Sequence, residues 1–215
     1  MNIRLTQCCL ALLACLALCG CLVPDKYIAT LSLSNSSYSL DFIGKMHMAA
    51  SYSDTYKQGV DNPQQLAASI MREFERVIQE RPQGKVETMF LDDHSFGTKF
   101  LYISPYYLQE ATGMFAFTVS GDTLTVISRP ISTNDMELLK QNNLTSKGSL
   151  CIKAFGTVLE SNADRNATLI DMCNRWELND LERPIKLVVR FSKPIPVTPQ
   201  AYQDMQNAPK GRRVQ

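Results

Sequence analysis

From Lys26 to Ala49 apolar and polar residues alternate with period two, and from Gln64 the period changes to that of an α-helix. That switch constrains the fold more than any other feature of the chain. Alternation buries one face of a strand and leaves the other in water. Tyr27, Ala29, Leu31 and Leu33 share one side. After the turn residues Ser34, Asn35 and Ser36, so do Tyr38, Leu40, Phe42, Met46 and Met48, which predicts an antiparallel hairpin. Gly44 inside the second strand predicts a bulge or a close backbone approach. His47 falls on the polar face with Asp41 and Lys45, a solvated strand face on which a structural or incidental role is expected.

Asn62-Pro63 reads as a helix cap followed by Pro at the first helical position. At about 100° per residue, Leu66, Ala67, Ile70, Met71, Phe74, Val77 and Ile78 then occupy an arc of about 140°. Arg72, Glu73, Glu75, Arg76, Gln79 and Glu80 lie opposite. The spacing predicts an amphipathic helix over about 63–81, packed on one sheet face. Its polar side mixes both signs, which favours core packing over a membrane interface.

Further strands are expected over 86–91, 96–103, 114–119 and 124–128, a short helix over 133–140, one strand-like run over 150–160, and strands around Trp176 and over 185–191. Asp92, Asp93 and His94 fall where a turn is needed. Two carboxyls beside an imidazole suit metal binding or acid–base work, but Asp is also favoured at turns for its own backbone hydrogen bonds, and a structural role is expected. Three prolines at 194, 196 and 199 end the sheet. The elements sum to an α+β domain over 21–192, several antiparallel hairpins with the long helix on one sheet face, followed over 193–215 by a Pro-rich, then basic tail, disordered or loosely helical, that ends in Lys210, Arg212 and Arg213.

The first twenty residues carry one charge, Arg4, then a short apolar run from about Cys8 to Leu18. That is a secretory signal peptide, about half the length of a membrane span. Its end, Leu18-Cys19-Gly20-Cys21, resembles the lipobox of bacterial lipoproteins, which implies cleavage before Cys21 and lipidation of its thiol. The earlier candidate, Leu12 to Cys15, leaves too short an apolar region behind Arg4. Lipid on Cys21 anchors the chain without a membrane-binding surface of its own. Leu22 stands where Asp would retain a lipoprotein at the inner membrane, which implies the outer membrane, facing the periplasm.

Cleavage removes 20 of the 215 residues and leaves 195, enough for one well-buried domain. Arg4 is the only one of the 22 basic residues lost, so 21 face the 21 acidic ones, a balance that gives no argument for nucleic acid. Of seven cysteines Cys21, Cys151 and Cys173 survive processing. With Cys21 lipidated, an oxidising compartment favours a disulfide between Cys151 and Cys173, closing a loop of about 23 residues worth roughly 3 kcal/mol. Two free thiols remain an alternative, and a zinc site is a poor one without a nearby histidine.

Two stretches resemble uncharacterised proteobacterial envelope lipoproteins: Pro24 to Tyr27 with Tyr38 through Phe42-Ile43-Gly44-Lys45, and Gly156 to Ala163 with Trp176-Glu177-Leu178. The second also resembles LppM-type mycobacterial lipoproteins, a family associated with binding envelope glycolipids. The resemblance implies a sheet-rich fold and a lipid ligand, and assigns no ligand residue. The chain departs from that pattern in its cysteine pair and in a basic tail where LppM-type proteins carry a transmembrane anchor.

The sequence holds no nucleophile elbow, phosphate loop, His-Glu-x-x-His or Cys-x-x-Cys. No catalytic residue, cofactor or metal is therefore expected. The leading expectation is a non-catalytic envelope lipoprotein that binds a lipid or glycolipid. An accessory subunit of an envelope assembly of secretion or pilus type comes second, and an enzyme centred on Asp92, Asp93 and His94 third.

Overall fold

A computed structural model describes residues 22–108, 110–129, 131–179 and 184–207. The leader, Cys21 and the basic end of the tail lie outside the described residues. Strands β1 (Leu22–Leu33) and β2 (Ser37–Met48) form the expected hairpin, with Leu33 opposite Tyr38 and Leu22 opposite Met48. The long helix follows, here α2 (Pro63–Gln79), after a 3-10 turn (Ala49–Tyr52) and the short α1 (Asp54–Gly59). Then come β3 (Lys85–Asp92), β4 (Ser95–Pro105), β5 (Phe115–Ser120), β6 (Thr123–Ser128), α3 (Thr133–Gln141), β7 (Gly148–Ala154), β8 (Thr157–Ser161), β9 (Cys173–Leu178), β10 (Lys186–Arg190) and α4 (Pro199–Asn207).

The strands form two sheets: a six-stranded one in the order β3-β4-β2-β1-β7-β9 and a four-stranded one in the order β5-β6-β10-β8. The fold is thus mixed α and β, mostly strand, with shorter helices beside the long one. The smaller sheet is antiparallel throughout. In the larger, β1 and β7 run parallel, Tyr27 beside Gly148 and Leu33 beside Ala154, which corrects the expectation of hairpins alone. Parallel neighbours need a long crossover, and the chain between these two passes through β2 to β6.

One core serves both sheets. Leu31, Leu40, Phe42, Phe100, Tyr102, Leu150, Ile152 and Trp176 from the larger sheet pack with Leu124, Val126, Leu187 and Val189 from the smaller. Helix α2 closes one end: Ala67, Phe74 and Ile78 are buried, and the Phe74 ring lies 5.5 Å from those of Phe96 and Phe100. Asn62 caps it, its Oδ1 accepting from the Gln65 amide at 3.0 Å. This is the amphipathic helix the spacing predicts.

Gly44 marks the expected close approach, a Cβ there meeting the Tyr27 Cβ at 2.4 Å, and the bulge itself lies in the opposite strand. Register steps from Asp25 opposite Lys45 to Ile28 opposite Ile43, so Lys26 and Tyr27 face Gly44 alone, with Lys26 at φ +49°. The run over 150–160 is two strands in different sheets, since the chain leaves β7 and enters β8 at Phe155-Gly156. The period of two does not register that step because Val158 keeps the phase of Leu150, Ile152 and Ala154, although β8 is exposed where the middle of β7 is buried. Beyond residue 192 the described part of the tail is tied down rather than disordered: Ile195 is buried in the core, its amide donates to the Gly121 carbonyl at 2.9 Å, and α4 follows, the helical alternative.

Candidate functional site

The segment that leaves β4 carries Tyr106, Tyr107 and Leu108 and returns through Glu110 to β5. A cleft of about 300 Å³ opens there, lined by Tyr106, Tyr107, Leu108, Phe115, Ala116 and Phe117, with Glu110 and Arg129 as its charged members. Glu110 shapes the loop. Its Oε1 accepts from the Thr112 amide at 3.0 Å, the Thr112 hydroxyl at 2.7 Å and the Tyr102 hydroxyl, and its Oε2 from the Met114 amide at 2.9 Å. A buried carboxyl with this many donors is spent on structure. Behind the cleft, Tyr38 packs on Phe117 at 4.6 Å and on Tyr106 at 5.7 Å, and the Tyr106 hydroxyl donates to the Ser34 carbonyl at 2.8 Å.

Burial raises the Tyr106 phenol well above its ordinary value, with Tyr38 adding to the effect. Burial, followed by the Glu110 charge, does the same to Tyr102. These phenols stay protonated near neutral pH. The cleft therefore offers aromatic faces and the exposed guanidinium of Arg129. Such a set stacks on a ring and pairs with a carboxylate or phosphate.

A second polar cluster lies at the other end of the larger sheet and gathers both histidines. The Nε2 of His47 stands 3.5 Å from Asp25 Oδ2 and its Nδ1 3.1 Å from the Tyr52 hydroxyl. Tyr52 stacks on His94 at 4.6 Å, and His94 Nδ1 lies 2.9 Å from the Ser51 hydroxyl, which donates to the Met48 carbonyl. The other Asp25 oxygen accepts from the Lys147 amide at 3.0 Å. His47, 1% exposed, is thus buried, against the expectation of a solvated side chain. The 3-10 turn at 49–52 folds back over that end, and the strand's alternation cannot report a cover supplied by a later segment.

Burial lowers the pKa of His47, Lys45 lowers it further, and the Asp25 hydrogen bond and charge oppose both. Burial also pushes the Tyr52 phenol up to about 12, helped by Asp92 and Asp25. Burial acts to raise Asp92, but the Ser95 hydroxyl and the His94 amide, with Lys45 and His94 nearby, bring its carboxyl below the usual range. Asp92 accepts both bonds within its own turn, at 2.8 and 2.9 Å, as a turn Asp does. So Asp92 and His94 are brought together through the backbone, and the His94 ring turns to Ser51. Among the described residues no group of three or more His, Cys, Asp or Glu is placed to hold a metal ion.

A disulfide joins Cys151 on β7 to Cys173 on β9, with their Cα atoms 5.3 Å apart. It braces the excursion over 162–172, whose tip presents Leu169 and Ile170 fully to solvent. That tip is held by the Thr168 amide donating to the Asp171 carbonyl at 2.7 Å and by Arg175 paired with Asp171 at 3.6 Å. Asn162 ties the excursion to the core, accepting from Trp176 Nε1 at 2.9 Å and from the Lys186 amide at 2.8 Å.

Tyr106 and Tyr107 are loop residues by their sequence pattern, which gives them no further role. The signal for the cleft is the crowding of Tyr102, Tyr106, Tyr107, Phe115 and Phe117 around one isolated acid, Glu110. Among the described residues no helix is long and apolar enough to cross a membrane.

No family model matches the chain, and no curated protein matches it. Among solved structures it is similar to the NMR structure of the folded domain of the LppM protein of Mycobacterium tuberculosis. The TM-score is 0.39 and the identity 12%, over 84% of this chain and 93% of that one.

Proposed function

We propose that the protein is a non-catalytic lipoprotein of the bacterial envelope, anchored through Cys21 in the outer membrane, that binds a glycolipid by its headgroup in the aromatic cleft. The cleft itself carries this reading: stacking faces, one exposed guanidinium, and a volume of about 300 Å³ at the small end of ligand pockets. That volume suits one sugar ring or phosphosugar better than acyl chains. The non-catalytic part is supported by the fate of the acids and hydroxyls, since Glu110, Asp92 and Ser51 are each engaged in fixed hydrogen bonds.

The test uses the mature chain with Cys21→Ser. Lipid is extracted from the purified protein and identified by mass spectrometry, and soluble headgroup saccharides of bacterial glycolipids are titrated by calorimetry. Tyr107→Ala and Arg129→Ala are each expected to weaken binding about tenfold, or about 1.4 kcal/mol. No copurified lipid and no saccharide binding would sink the glycolipid reading.

One observation favours the second reading, an accessory subunit of an envelope assembly. Leu169 and Ile170 stand fully exposed on a braced tip, the form of a preorganised protein contact. A photo-crosslinker at position 169 in living cells should then trap a defined envelope protein. Loss of that adduct on shifting the probe to Glu160 would support a specific contact.

A further inference from the structure

Strand β1 begins at Leu22, the residue after Cys21, so a lipid on Cys21 leaves no tether between bilayer and sheet. Resting on the lipidation reading, we infer that the end of the larger sheet carrying Leu22 lies on the bilayer, and that Met89, Phe90 and Leu91 enter its interfacial layer. The occupant is the membrane that holds the anchor.

Ladder register fixes which residues share that end. Val23 pairs with His47, His47 with Ser95, and Ser95 with Asp92. The next row holds Pro24, Met46, Phe96 and Phe90, and the one after it Asp25, Lys45, Gly97 and Met89. Strand β3 is three strands from β1, a lateral offset of roughly 14 Å at about 4.8 Å per strand. Within that reach of the anchor, Met89 is 63%, Phe90 41% and Leu91 43% exposed.

Three consecutive large apolar side chains on an edge strand are a liability in water, and proteins guard such edges with charge or cover. The three residues here carry no charge, and none of the described strands pairs with the outer edge of β3. The bilayer supplies the cover, because the anchor brings this end to it without slack. Nearby charges balance, Lys26, Lys45 and Lys147 against Asp25, Asp92 and Asp93. The contact is therefore driven by apolar side chains and the lipid, and salt does not weaken it.

The test uses the full chain, expressed with its leader, purified in its mature lipid-bearing form and reconstituted into vesicles of phosphatidylethanolamine and phosphatidylglycerol. Met89→Cys or Leu91→Cys carries an environment-sensitive nitrobenzoxadiazole dye. Leu169→Cys, at the far end of the sheet, is the aqueous reference. Cys151 and Cys173 are bonded to each other, so the introduced thiol takes the label, and emission from the buried Trp176 checks that each variant is folded.

On reconstitution the dye at 89 and 91 should shift to the blue, be quenched by lipids bearing a nitroxide near the headgroup, and keep that shift in high salt, while the dye at 169 stays aqueous. Protein that floats with the vesicles while the dye at 89 and 91 stays aqueous overturns the contact and leaves the anchor standing. Protein that neither floats nor shows a lipid mass on Cys21 overturns the anchor, and the contact with it. A blue shift that precedes the vesicles and grows with protein concentration overturns the contact in favour of a second copy paired along β3.

Discussion

The bulge of β1 throws Tyr27 against two glycines, and the two contacts differ in kind. A Cβ on Gly44 would stand 2.4 Å from the Tyr27 Cβ and 2.8 Å from its Cα, whereas one on Gly148 would meet ring carbons at 2.4 Å. Gly44→Ala and Gly148→Ala should each destabilise by about 2–3 kcal/mol, as overpacking does. Tyr27→Ala removes the ring and keeps the Cβ, so it should relieve the second substitution and not the first. Denaturant midpoints of the single and double variants decide this, and relief of Gly44→Ala would contradict the geometry. His47 supplies a second prediction at this scale. Its folded pKa is lowered while the unfolded value is about 6.5, so as pH falls the unfolded chain takes up the extra proton first. The stability contributed by neutral His47 is present above about pH 6.5 and is lost as pH drops through the folded value, with a slope of up to about 1.4 kcal/mol per pH unit. Unfolding free energies between pH 7 and 5 should fall for the native chain. They should fall less for His47→Gln, which still hydrogen-bonds and does not titrate; equal slopes would remove His47 as the cause.

Elements were legible where the signal is local. Period two over 26–49 marks β1 and β2, and Asn62-Pro63 with its apolar arc marks α2, because cap and face lie within one stretch of chain. The pairing of β1 with β7, the division of 150–160 between two sheets and the cover over His47 were not legible, because each depends on segments far apart in sequence. The cleft is of the same sort: its residues come from the segment after β4, from β5 and from Arg129 just past β6, and only the aromatic crowding around Glu110 points to it. The disulfide tests how far an element depends on a distant constraint. Replacing Cys151 and Cys173 together by Ala should cost about 3 kcal/mol by the chain-entropy argument for a loop of about 23 residues. It should also make the excursion over 162–172 the first site of proteolytic cleavage. Cleavage elsewhere at an unchanged denaturant midpoint would mean that Asn162 and the Arg175 to Asp171 pair hold the segment without it. By contrast, Phe74→Ala in α2 should cost about 3–5 kcal/mol, since the ring is buried against Phe96 and Phe100, and thermal unfolding measures it.

At the scale of the whole molecule, β1 acts as a mast. Its 12 residues span roughly 36 Å at about 3.3 Å per step, with Leu22 at one end and, at the other, the turn whose Ser34 carbonyl receives the Tyr106 hydroxyl. If lipid on Cys21 holds the first end to the bilayer, the cleft and the Leu169 tip both stand far from that membrane. A glycolipid lying in the leaflet below is then out of reach, and the ligand must arrive free in the periplasm or be handed over by another protein. The geometry makes the two ends separable. A Gly/Ser linker of about 15 residues placed between Cys21 and Leu22 adds an r.m.s. reach of roughly 20 Å. It should return a dye at position 89 to water while leaving the affinity of the cleft for a soluble headgroup saccharide unchanged. Calorimetry on the linker variant in vesicles reads the second quantity and dye emission the first. If the linker instead raised the amount of glycolipid captured from vesicles that also contain it, the direct tether would be limiting a ligand of the protein's own membrane, and the cleft would be serving the leaflet beneath it.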